Sequence, residues 1–182
     1  MRILIVSHYF PPETGAPQAR LSALAAAWAA GGDAVTVLTG MPNHPTGVLP
    51  PEYRRAVRRR ERRDGYAVLR TWLYATPNEG IARKTASHLS FMVSSVLLGL
   101  RPSGRADTVV VSSPTFFSIA SAWLLARLKR ARLVRSRHEG RETHYSAQPR
   151  ALAPLVDWMS LYGAFWRERF DRLEDLLKRM EP

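Results

Sequence analysis

Residues 3–17, Ile3-Leu4-Ile5-Val6-Ser7-His8-Tyr9-Phe10-Pro11-Pro12-Glu13-Thr14-Gly15-Ala16-Pro17, decide the fold. The first four are apolar and rich in β-branched side chains. The run is short and closed by Pro and Gly, which reads as a strand buried on both faces, as in a parallel sheet covered by helices. Leu21, Leu24, Ala25 and Trp28 then recur at helical spacing, so the order is strand, loop, helix. Gly15 has no Cβ and accepts positive φ, so a ligand can approach the backbone there. The helix start behind it offers unpaired N–H groups suited to a phosphate or carboxylate. Open α/β sheets bind ligands at this carboxyl edge. The fingerprint G-x-G-x-x-G is absent, and spacing alone gives a ligand loop and a plain proline-stiffened turn equal weight.

Outward from this stretch, a helix over about 18–30 stops at Gly31-Gly32, and Ala34–Thr39 reads as a second strand, completing a β-α-β unit. Residues 40–51 are too dense in Pro and Gly for a helix. A loop of that length at a strand's carboxyl end carries a function, with Asn43 and His44 its polar members of chemical reach. A satisfied surface histidine is the competing reading of His44. Eight arginines follow at 54, 55, 58, 59, 60, 62, 63 and 70, so this face is expected to be solvated or bound to an anion. Asp64-Gly65 reads as a tight turn between two short strands.

Residues 82–100 form a helix by length and content. It is too short in its apolar part and too rich in serine for the roughly 20 apolar residues of a membrane span, so a buried helix is expected. Docking on a membrane surface, with Arg83, Lys84 and Arg101 as flanks, is the second reading. Asp107–Val111 is another buried strand, ending at Ser112-Ser113-Pro114-Thr115 before a helix over 116–129. Ser112 and Ser113 therefore lie on the same edge as Gly15, although bare serines there also serve as helix caps.

The 182 residues allow one large domain or one domain plus a fragment, and 46% hydrophobic content suffices for a core. A formal charge of +12 favours anionic partners without choosing among nucleic acid, phosphorylated substrate and acidic membrane. With no cysteine the chain has no disulfide, thiolate metal site or cysteine nucleophile, and no His–carboxylate cluster has metal-ligand spacing. The opening apolar run is too short for a secretion signal, which points to the cytoplasm.

Three co-linear blocks, residues 3–17, the Val35–Gly47 segment and Ser112-Ser113-Pro114, resemble the N-terminal domain of retaining glycosyltransferases of family 4, of GT-B fold, in the WbuB-like branch that builds bacterial surface polysaccharide. The resemblance covers about residues 1–129. It implies an α/β, Rossmann-like parallel sheet layer that holds the acceptor, often a lipid-linked sugar at the inner face of the membrane. The Gly15 loop then faces the cleft where the diphosphate of a nucleotide-sugar donor lies. Substrate contacts are expected at Glu13, Thr14, Gly15, Asn43, His44, Ser112 and Ser113. No general base or nucleophile is assigned and no cofactor is expected beyond that donor. The family's second domain, with its nucleotide-sugar site, has no counterpart here, so the chain is expected to be catalytically incomplete.

Residues 130–182 read as a separate unit, a short hairpin followed by a mainly helical tail. From Leu128-Lys129-Arg130-Ala131-Arg132-Leu133-Val134 onward the chain resembles the C-terminal part of ArsR-type winged-helix repressors. The resemblance implies a junction of two partial domains near 128–134. Residues 135–137 and 142–146 would form the hairpin, with Arg135, Arg137 and Arg141 able to follow a DNA backbone. Apolar residues from Leu152 to Leu177 sustain one helical stripe over 149–179, which either pairs two copies or covers the chain's own core. A DNA-binding regulator fragment is the alternative function.

Overall fold

The computed structural model describes residues 1–77, 80–112, 116–139 and 142–147, with backbone alone beyond residue 134. The elements run β1 (Arg2–Ser7), α1 (Ala16–Ala30), β2 (Ala34–Gly40), β3 (Arg58–Arg63), β4 (Tyr66–Thr71), α2 (Ile81–Gly99), β5 (Thr108–Ser112), α3 (Phe116–Lys129), β6 (Arg132–Glu139) and β7 (Glu142–Ala147). They build one seven-stranded sheet in the order β3-β4-β2-β1-β5-β6-β7. The five inner strands are parallel, and the antiparallel strands β3 and β7 close its two edges.

The apolar runs of β1, β2 and β5 are continuous because these strands are covered on both faces. Leu4, Val6, Leu38, Leu69, Val109 and Val111 meet Phe91 of α2 and Ile119, Ala122 and Leu125 of α3 on one face. Ile3, Ile5, Val35, Val37, Tyr66 and Val68 meet Leu21 and Ala25 of α1 on the other. Successive strand residues point to opposite faces, so both sets must be apolar. Each fully buried Leu, Val or Phe contributes about 1.5–3 kcal/mol to this arrangement.

The hairpin between β3 and β4 turns at Asp64 (φ 42°) and Gly65 (φ 82°), two left-handed residues in succession, as a two-residue turn of the right twist requires. Strand β4 then enters the sheet parallel to β2, pairing Val37 with Val68.

Three expectations are corrected. Arg70 is no part of a solvated arginine face: it lies in β4 and is fully buried. Helix α2 is not buried all round, because Leu89, Val93 and Leu97 are exposed. The sheet does not end with residue 129, since β6 pairs parallel with β5, matching Val110 to Val134. The hairpin expected after residue 130 does form, between β6 and β7, but as the far edge of this sheet. Met1–Pro149 make one compact unit; the tail from Arg150 on, with its apolar stripe, lies outside the described residues.

Candidate functional site

The carboxyl ends of β1, β2 and β4 deliver three loops to one edge of the sheet, and Glu13 ties two of them together. Its Oε1 accepts the backbone N–H groups of Asn43 and His44, both at 2.9 Å, and its Oε2 accepts that of Phe10 at 3.2 Å. The carboxylate is buried, and burial pushes its pKa up against the opposing pull of these three N–H donors and of Arg70. Glu13 is therefore fully engaged in shaping the 43–47 turn, which is closed by the Gly47 N–H on the Asn43 carbonyl.

Arg70 supports the same loops from below. Its Nε donates to Glu61 Oε1 at 2.9 Å, Nη1 to the Gly40 carbonyl at 3.3 Å, and Nη2 to the Pro11 carbonyl. Tyr53 lies under the guanidinium, 5.5 Å from its ring centroid, and donates its hydroxyl to the same Glu61 oxygen at 2.9 Å. Glu61 is thereby held below the ordinary carboxylate range despite partial burial, which works the other way. One buried cation thus fixes the exits of β1 and β2.

The third loop comes close because of a glycine. Gly47 has φ +73°, and a Cβ on it would run into the backbone of Thr76 and Pro77. Above this contact is a recess lined by Tyr9, Asn43, His44, Pro45, Thr76, Pro77 and, from the first turns of α2, Lys84 and Ser87. The rings of Tyr9 and His44 meet edge to face at 5.2 Å. Burial raises the Tyr9 hydroxyl pKa first, with the Glu13 charge adding to it. The recess therefore offers a neutral phenol, an amide, an imidazole and one ammonium, a set suited to hydrogen-bonding a hydroxylated or phosphorylated ligand.

Behind the recess, His8 is buried with its Nδ1 3.2 Å from Nδ1 of His88. Burial, then the neighbouring His88, holds His8 well below the ordinary imidazole pKa. His88 is lowered by burial and by Lys84. His88 also stacks on Phe117 of α3, with ring centroids 6.2 Å apart.

Of the residues singled out from sequence, Asn43 and His44 line the recess and Glu13 sits behind it. Asn43 is itself buried, its Nδ2 donating to the Met41 carbonyl at 3.1 Å. Thr14 and Gly15 are exposed at the entry to α1. The helix start there is a poorer anion site than its position suggests. Pro17 has no N–H, and the buried Gln18 amide folds back over Gly15. Ser112 accepts from Arg20 Nη2 at 3.4 Å, away from the lining residues, and Ser113 lies outside the described residues. Arg135 and Arg137 belong to β6, a strand paired on both sides; their side chains, and all of Arg141, are outside the described residues. Lys84, Ser87 and His88 were not singled out as contacts. Their spacing of three and four on one helix was the available signal.

A doubly covered parallel sheet with a recess at its carboxyl edge is a Rossmann-like architecture, the fold class of a GT-B N-terminal region. The chain belongs to the glycosyl transferase 4-like domain family, whose family model matches residues 15–171. That match continues through 128–134 without a break. Among solved structures the chain is similar to sucrose-phosphate synthase (tll1590) from Thermosynechococcus elongatus, with 14% identity and a TM-score of 0.50, over 76% of this chain and 33% of that one. This likeness speaks for the fold, and the chain spans about a third of that protein's length. No curated protein matches it.

Proposed function

We propose that this domain is the acceptor-binding half of a retaining glycosyltransferase of the WbuB-like branch, acting in surface polysaccharide synthesis at the inner face of the membrane. The acceptor is a lipid-linked sugar that rests over the mouth of the shallow recess between Tyr9, Asn43, His44, Thr76, Lys84 and Ser87, placing one polar group at a time into it. The observation that carries this reading is the recess itself. A hydroxyl-rich, singly cationic pocket sits on a rigid carboxyl edge, pinned by Glu13 and Arg70, in a chain of this family. Lys84 would meet an acceptor phosphate, and Asn43, His44 and Thr76 would meet sugar hydroxyls. The exposed Thr14–Gly15 segment would face the donor diphosphate, which needs electrostatic stabilisation from a second domain as the sugar leaves. We favour this over a DNA-binding regulator because one family model spans both sides of 128–134. Pairing of copies through 149–179 stays a separate proposal.

Titration calorimetry with a short-prenyl diphosphate-linked monosaccharide tests the reading. Saturable binding is expected, weakened at least about tenfold by Lys84→Ala, the loss typical of one charge-assisted hydrogen bond. The melting temperature of that variant should not move, since Lys84 is exposed. No binding by the unaltered chain, or equal binding by Lys84→Ala, contradicts the proposal.

A further inference from the structure

Helix α2 is built inside out. Its buried face is Ser87, Phe91, Ser94, Ser95 and Gly99, and its exposed face is Ala82, Ala86, Leu89, Val93 and Leu97. The inward serines and glycine let the helix sit close on the sheet: a Cβ at Gly99 would meet Leu38 at 2.8 Å. The serine hydroxyls are spent on backbone carbonyls, Ser95 on Met92 at 3.0 Å and Ser94 on Phe91 at 3.2 Å. The outward residues are spaced by four, three, four and four, so they form one stripe about 22 Å long. Leu97 is 74% exposed and Val93 46%. Scattered exposed apolar residues are ordinary, but an uninterrupted stripe on a helix marks a surface that something covers.

A cationic border runs beside this stripe. Arg60 of β3 is directly paired with Leu69, whose side chain lies in the core under α2 and α3, so Arg58, Arg60 and Arg62 project to the α2 side of the sheet. All three are exposed. Arg60 Nη1 reaches the Pro102 carbonyl just past α2 at 3.4 Å, and Arg101 and Arg105 are exposed in that same connection. Arg83 and Lys84 are exposed at the other end of the helix.

We propose that this face docks on an anionic lipid bilayer. The Leu89–Val93–Leu97 stripe enters the boundary between headgroups and acyl chains, and the arginines of β3 and of the α2–β5 connection lie against lipid phosphates. Charge decides the occupant: a second copy would bring like-charged arginines together, whereas an acidic bilayer presents an extended surface of opposite sign. Among the described residues no helix is long and apolar enough to cross a membrane, so the contact lies in the interface plane. Docking does not depend on the acceptor assignment. If both hold, the recess opens at the N-terminal end of the docked helix, where Lys84 and Ser87 stand.

The test uses the full chain and vesicles without any lipid-linked sugar, so its failure is separable from failure of acceptor binding. The chain should co-sediment with vesicles of mixed phosphatidylcholine and phosphatidylglycerol, and not with phosphatidylcholine alone. Because it has no cysteine, an environment-sensitive dye can be placed at Val93→Cys or, as a control, at the exposed Ala23→Cys on α1. Emission should shift to the blue on addition of acidic vesicles at position 93 and not at 23. The double change Leu89→Glu, Leu97→Glu should lower partitioning at least tenfold. Binding independent of lipid charge, a dye at 93 that does not respond, or a double variant that still binds overturns the proposal. So does a concentration-dependent dimer that the double change dissolves, which would make a second copy the occupant. Should the double variant fail to fold, the dye pair decides.

Discussion

His8 and His88 face each other through their Nδ1 atoms at 3.2 Å, so one ring must donate and the other accept. His8 Nε2 is buried without a hydrogen-bond partner. An orphaned acceptor is tolerated better than an orphaned N–H, so the proton belongs on His8 Nδ1, donating to His88. Both rings are then neutral, in keeping with the lowered pKa that burial imposes on each.

This pair makes the fold sensitive to mild acid. A group whose pKa is lowered by folding contributes its full stability above its unfolded pKa, and that stability is lost as pH falls toward the folded value. Melting temperature should therefore drop as pH falls from about 7 toward 5.5, each imidazole contributing at most about 1.4 kcal/mol per pH unit. Glu13 has the opposite sign, its raised pKa favouring the folded state as pH falls, and so offsets part of the loss. Thermal melts of the unaltered chain and of His8→Gln with His88→Gln check this. The double variant should show a flatter pH profile, and identical profiles would refute the assignment.

Arg70→Met should be among the most damaging single changes. It removes a fully buried guanidinium, takes the Arg70 donors from the Gly40 and Pro11 carbonyls, and leaves Glu61 with only the Tyr53 hydroxyl and the more distant Arg59. Breaking a buried pair from one side costs about 3–5 kcal/mol; Glu61 keeps some solvent, which places the cost near the lower end. Arg70→Lys should recover little, because an ammonium cannot reach three acceptors in a plane. Urea midpoints measure both.

Two glycines with similar backbone angles should respond differently to alanine. Gly32 has φ +89° and open space around its missing Cβ, so Gly32→Ala should cost only the left-handed penalty of about 1–2 kcal/mol. Gly47→Ala adds a collision with Thr76 and Pro77, and it should cost more and also weaken ligand binding at the recess. Equal urea midpoints for the two variants would contradict the close approach of these loops.

The strands at 2–7, 34–40 and 108–112 were legible because a strand covered twice is apolar throughout, a pattern little else produces at that length. The Asp64-Gly65 turn was legible from its chemistry. Arg70 was not: within an arginine-rich stretch nothing local distinguishes the one guanidinium that the loops of β1 and β2 enclose. Glu13 was legible as special but not in its role, since its three partners lie in backbone 3, 30 and 31 residues away. The outward stripe of α2 eluded a reading of its periodicity because the helix inverts the usual rule, burying serine and exposing leucine. Asn43 and His44, which line the recess, stand out in the sequence because a Pro- and Gly-rich segment after a strand leaves few polar groups to choose from. Lys84 and Ser87, which line the same recess, do not stand out because they ride on a helix rather than a loop.

The arginine-laden strand β3 has a consequence for how copies of this protein behave when crowded together. As the outermost strand beyond β4 it presents unpaired backbone groups, an invitation for another chain to add itself to the sheet. Five of its six residues are arginine. A second β3 hydrogen-bonded alongside would set those guanidinium groups against their own kind at a strand spacing of about 4.8 Å, where like charges directly opposed repel. The sheet is thereby closed to addition at this edge by the charge of the strand itself.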